Sequence, residues 1–148
     1  MLGSATVANY EIEFYGDENG DKPVRRWIAE ELTRSQRFEL GRSMRQQLQE
    51  KGVGICATSY GKQLGRGLFE FRLRRDPSAL APPGQRPAPS ARILLRVFCH
   101  AYGNKVVLLL GGYDKGADPS PRRQNDEIGI ARGRLADWRR RKARSGAS

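Results

Sequence analysis

Between Leu68 and Arg74 the chain alternates with a period of two, so Phe69, Phe71 and Leu73 share one strand face and Glu70, Arg72 and Arg74 the other. Arg92, Arg96 and His100 share a face of the next apolar run in the same way. Guanidinium groups grip phosphate through paired N–H donors and stabilise the five-coordinate charge of phosphoryl transfer. A carboxylate among them can act as a base or hold an arginine in place. If register brings the arginines of the two strands side by side, these residues describe a nuclease surface. The plainer alternative is that Glu70 pairs with an arginine across the strands, worth up to about 1 kcal/mol, and nothing is catalysed.

Other chemistries find less support. His100 is the single histidine, which excludes a two-histidine acid–base pair. Asp114, Asp118, Asp126 and Glu127 lie near Lys115 without metal-loop spacing, so no metal and no cofactor are expected. Cys56 and Cys99 are isolated from each other and from any zinc-ligand pattern, which predicts a reducing, cytoplasmic setting rather than a disulfide framework. Cys99 reads as a core residue of an apolar strand, and Cys56 has no base near it in sequence.

The elements that must position these residues follow from periodicity. Asn9 to Tyr15 reads as a strand with Tyr10, Ile12 and Phe14 on its buried face. Gly16 to Asp21 is a turn, after which Asp21 caps and Pro23 opens a helix bearing Val24, Trp27, Ile28 and Leu32 on one side. Thr33 and Gln36 have capping-box spacing ahead of a second helix, whose stripe Phe38, Gly41, Met44 and Leu48 ends at Gly52. Val53 to Gly67 reads as a loop. Two further strands, Arg92 to Tyr102 and Lys105 to Leu110, are joined by a two-residue turn at Gly103 and Asn104. Ile128, Ala131, Leu135 and Trp138 make the stripe of a last helix. The predicted fold is α+β: an N-terminal strand, a two-helix hairpin, an antiparallel sheet of three further strands and a C-terminal helix. The hairpin covers one sheet face and leaves the other for a ligand. One domain spans residues 1–138, with a Pro-rich, mobile connection at 75–91 and a basic tail at 139–148.

At 148 residues the chain suits a single core, and its composition excludes a collagen or a low-complexity tail. The net charge of +11 is unevenly spread. Residues 1–50 carry 7 basic and 9 acidic side chains, residues 51–121 carry 11 and 4, and residues 122–148 carry 9 and 3. A basic C-terminal two thirds fits a nucleic-acid partner, and also an acidic protein or membrane surface. The longest apolar run, Val106 to Leu110, is too short to cross a bilayer, and Met1 to Tyr10 has no signal pattern, so no secretion or membrane insertion is expected.

The string Lys62, Leu64, Gly65, Gly67, Leu68, Phe69, Glu70, Phe71, Arg72 resembles the "K-x-L-G-x-G-L-[YF]-E-x-R" segment of phage-derived and HigB-type members of the RelE/ParE toxin superfamily. The opening "Y-E-I-E-F-Y" strand, the Pro-Val helix, the "L-x-E-K-G" helix end, the "A-R-I-L-L-R-V-F" strand and the "V-V-L-L-L-x-G-Y-x-K" strand recur in that family's order. The likeness spans about Asn9 to Arg134. It implies a RelE-like toxin of a type II toxin–antitoxin pair, a ribosome-dependent messenger-RNA endonuclease that needs no metal. Its partners would be a helix-turn-helix antitoxin, messenger RNA on the ribosome, and DNA only through the antitoxin. By motif position it implies that Arg72 and Arg92 stabilise phosphate, that Lys115 binds phosphate or donates a proton, and that Glu70 is a base or orienting group. Lys62, Arg66, Arg74, Arg96 and His100 would be further RNA contacts. The family commonly has two adjacent lysines where this chain has Asp114 and Lys115. Two alternatives stay open: a non-catalytic RNA- or ribosome-binding protein on the same fold, and a partner-binding subunit of a DNA-binding repressor complex.

Overall fold

The computed structural model describes residues 9–76, 84 and 92–146. The mobile Pro-rich connection expected at 75–91 falls, but for Arg75, Asp76 and Gly84, outside the described residues. The fold is α+β, with a mixed five-stranded sheet in the order β1-β5-β4-β3-β2. Its strands are β1 (Glu11–Phe14), β2 (Gly61–Gly65), β3 (Leu68–Arg75), β4 (Ile93–Tyr102) and β5 (Val106–Asp114). The sheet is not wholly antiparallel, because β1 runs parallel to β5, pairing Glu11 with Val106 and Phe14 with Leu109. The helices between β1 and β2 carry the chain away from this pairing before β3, β4 and β5 follow as a meander.

Pro23 opens α1 (Pro23–Arg26), which widens into a π-helical stretch, Trp27–Glu31. Asp21 does not cap it. The N-cap is Lys22, without a side-chain hydrogen bond, and Asp21 is ion-paired with Arg26 instead. Thr33 and Gln36 do form a reciprocal capping box at the start of α2 (Arg34–Ser43), with bonds of 2.8 and 3.1 Å. A second π-helical stretch, Met44–Leu48, leads into α3 (Gln49–Lys51), which stops at Gly52. Gly52 has φ +55°, and a Cβ there would meet the Tyr10 ring, so both the turn and the close approach need glycine. Leu48 of the expected stripe enters the core, as does Leu40, which was not part of it, whereas Phe38 of that stripe is 63% exposed.

The expected loop Val53 to Gly67 holds a 3₁₀ turn, Gly52–Ala57, and the edge strand β2. The β4–β5 turn has three residues rather than two, since Tyr102 pairs with Val106, and Lys105 takes a left-handed conformation at φ +59°. Beyond Leu110, β5 continues through Gly111 and Gly112 to Asp114.

The sheet is buried on both faces. One face, with Phe69, Phe71, Leu95, Val97, Val107 and Leu109, packs under Trp27, Leu40 and Leu48. The other was expected to lie open, but α4 (Pro121–Gly146) covers it by setting Ala131 and Leu135 against Leu68, Phe98, Leu108, Leu110 and Tyr113. The basic tail expected from residue 139 is therefore the last turns of this helix as far as Gly146. Among the described residues no helix is long and apolar enough to cross a membrane.

Candidate active site

Strand alternation carries Glu70, Arg72 and Arg96 to the face that α4 covers, at the end where that helix begins. Register pairs Arg72 with Arg96 across β3 and β4, and Glu70 with Lys62 across β3 and β2. The Glu70 carboxylate is wholly buried, which a charged group tolerates only when it is paired and hydrogen-bonded. One oxygen accepts from Arg72 Nε at 2.9 Å. The other accepts from Gln124 Nε2 of α4 at 3.1 Å and lies 3.6 Å from Arg96 Nε. Both oxygens are thus engaged by the chain itself, and the carboxylate holds the two arginines side by side.

Arg96 is 11% exposed and Arg72 is 32% exposed, so their guanidinium groups run from the carboxylate toward solvent. With Arg74, Ser59 and Tyr60 they line an open concavity of about 380 Å³. The backbone locks this wall, since Arg72 N donates to Tyr60 O at 2.7 Å. Burial pulls the Arg96 pKa down and Glu70 opposes that pull. Two buried polar atoms here, Arg96 Nε and the Tyr113 hydroxyl, have no hydrogen-bond partner. The Arg123 guanidinium lies 5.3 Å from the Tyr113 ring centre.

A bulge in β5 explains how Asp114 and Lys115 are sorted. Phe98 pairs with Gly111 but Cys99 with Leu109, so β5 holds one extra residue and its side-chain alternation reverses there. Tyr113 then packs toward α4, and Asp114 turns to the opposite side, where Gln36 of α2 donates to it at 2.9 Å. Asp114 also accepts from Ala117 N at 3.2 Å and so shapes the turn that follows. Lys115 returns to the α4 side, and its Nζ donates to Gln124 Oε1 at 3.2 Å. Burial and the charges of Arg96, Arg72 and Lys62 hold the Lys115 pKa below its ordinary value, against the opposing pull of Glu70. Asp114 therefore lies outside this cluster.

The remaining sequence candidates separate. Arg92 precedes β4, is 61% exposed and faces Asp76 at 3.7 Å, four residues from Arg96 or about 13 Å along an extended chain. Across the two strands Arg72 thus stands beside Arg96 and not beside Arg92, the arginine that the resemblance assigned to phosphate with it. His100 lies equally far the other way, 2.8 Å from Gly67 O and edge-on to Trp138. Arg66 sits at the β2–β3 turn, where its carbonyl accepts from Arg139. Sequence reasoning missed Ser59, Tyr60, Tyr113 and Gln124. The first two were hidden in the supposed loop, and nothing in the sequence marks one uncharged glutamine in an arginine-rich helix. Among the described residues no three His, Cys, Asp or Glu side chains gather as metal ligands would. No protein-family model matches the chain, and no curated protein matches it significantly.

Proposed function

We propose that the chain is an RNA endonuclease whose site is the arginine-lined concavity, and that it acts as the toxin of a RelE-like toxin–antitoxin pair on messenger RNA at the ribosome. The observation that carries the ribonuclease reading is that Arg72, Arg74 and Arg96 open onto one concavity, two of them held by the same buried carboxylate. Such an arrangement is preorganised for a phosphodiester, because the cations need no reorganisation as negative charge grows on the phosphorus. The ribose 2′-oxygen attacks the adjacent phosphorus, the bond to the 5′-oxygen breaks, and a 2′,3′-cyclic phosphate remains. Lys115 supplies the proton that the departing 5′-oxygen takes up, and the 2′-hydroxyl proton passes to water. The toxin assignment is supported by the motif order from Asn9 to Arg134 and implies a helix-turn-helix inhibitor.

The test is to incubate the protein, in the presence of a chelator, with end-labelled RNA alone and with messenger RNA on ribosomes, and to map new ends. Cleavage leaving 2′,3′-cyclic termini, lost in Arg96→Ala with the fold intact, supports the proposal. RNA that is bound but never cut favours a non-catalytic binding protein. Expression that arrests growth, relieved by a neighbouring reading frame for a helix-turn-helix protein, would support the toxin role.

A further inference from the structure

Gln124 is the one side chain of α4 that touches both the carboxylate and the lysine of the site. Its amide orientation is fixed by chemistry: the Glu70 carboxylate only accepts and the Lys115 ammonium only donates, so Nε2 must face the first and Oε1 the second. We infer that Gln124 is a positioning residue that couples Glu70 to Lys115, holding the lysine at the edge of the arginine cluster and setting its proton affinity. The inference rests on the ribonuclease reading above and adds a residue acting through Lys115 rather than on the RNA.

The physical reason is the crowding of like charge. Lys115 feels the repulsion of Arg96 of β4, Arg72 of β3 and Lys62 of β2, against the attraction of Glu70. A mobile ammonium would swing away from three cations into solvent. The Gln124 carbonyl, polarised by donation from its own amide to Glu70, supplies the acceptor that keeps it in place. A hydrogen bond accepted from the ammonium favours the charged form, so the amide keeps Lys115 a competent acid where its neighbours disfavour the charge.

Two substitutions of nearly equal volume separate this role from packing. Gln124→Glu places an anion beside Lys115 and should raise its titration midpoint, whereas Gln124→Leu removes the acceptor and should lower it. The midpoint is read from the Lys115 Cε chemical shift against pH in ¹³C-lysine-labelled protein, assigned with Lys115→Arg, with circular dichroism as the control for folding. The pH profile of RNA cleavage is recorded in parallel. Expected are opposite displacements of the midpoint, with the cleavage profile following each, and a rate at neutral pH about tenfold lower in Gln124→Leu. Midpoints that stay at the wild-type value, or move the same way in both variants, overturn the inference. Should Gln124→Leu fail to fold, the glutamate variant decides alone, since its midpoint must rise. Opposite displacements in a protein that leaves all RNA intact would overturn the ribonuclease reading and not the coupling.

Discussion

Glu70 is wholly buried and held by two arginines and a glutamine, so its removal strands charge rather than exposing it. Glu70→Gln keeps the volume but leaves Arg96 buried without its anion, and should cost about 3–5 kcal/mol in urea unfolding. A loss below about 1 kcal/mol would show that the carboxylate does not hold the site together. Arg92 provides the contrast. Its exposed pairing with Asp76 predicts that Arg92→Ala loses under about 1 kcal/mol and keeps most RNA cleavage, while Arg96→Ala loses at least about tenfold. Equal loss in both variants would return Arg92 to the site. The residue types and the shared faces were legible, because alternation fixes which side of a strand a residue takes. Position along the strand was not, because the offset between β3 and β4 depends on the connection between them and leaves no trace in the period.

At the scale of elements, what could be read depended on how strongly each pattern was written. The capping box at Thr33 and Gln36 was legible because its two reciprocal bonds demand those residue types at that spacing. Strand β2 was not, since Gly61-Lys62-Gln63-Leu64-Gly65 contains one apolar side chain, and Gly61 is needed where the Ile55 backbone leaves no room for a Cβ. Helix α4 outlasts its own apolar stripe: beyond Trp138 it is held by Arg141, which bonds Asp137 and Gly16 O, and by the Tyr15 hydroxyl donating to Asp137. Bonds from Arg141 and Tyr15 hold the Asp137 pKa below its ordinary 3.8. A carboxylate lowered in the folded state lends stability above its ordinary pKa and loses it as pH falls through the folded value. Amide exchange in residues 139–146, normalised for intrinsic rates, should therefore accelerate below about pH 4 relative to residues 121–135. Asp137→Asn should show the faster exchange at neutral pH already. Exchange that ignores pH in both proteins would mean that this contact does not hold the helix end.

For the whole molecule, the unbroken apolar run Val106 to Leu110 calls for cover on both sides, which argued against the open second face expected from the helical hairpin alone. What the sequence left unstated was that the last helix would supply the cover and so confine the open cationic surface to one end of the sheet. The net charge of +11 surrounds that end with a field that draws phosphate without regard to the sugar. Four contacts, from Arg72, Arg74, Arg96 and Lys115, predict a slope of about −3 for log affinity against log salt on single strands, or about fifty-fold weaker binding from 50 to 200 mM. On the proposed mechanism cleavage is far more selective than binding, because the attacking group would be the 2′-hydroxyl itself. An RNA with one 2′-deoxy nucleotide at the cleaved position should bind within about twofold of the unmodified strand, since its phosphates are unchanged. It should not be cut at that position. Cutting of the deoxy strand at an undiminished rate would require another nucleophile, and the assignment of the arginine concavity to internal attack on RNA would fail even if the salt slope were as expected.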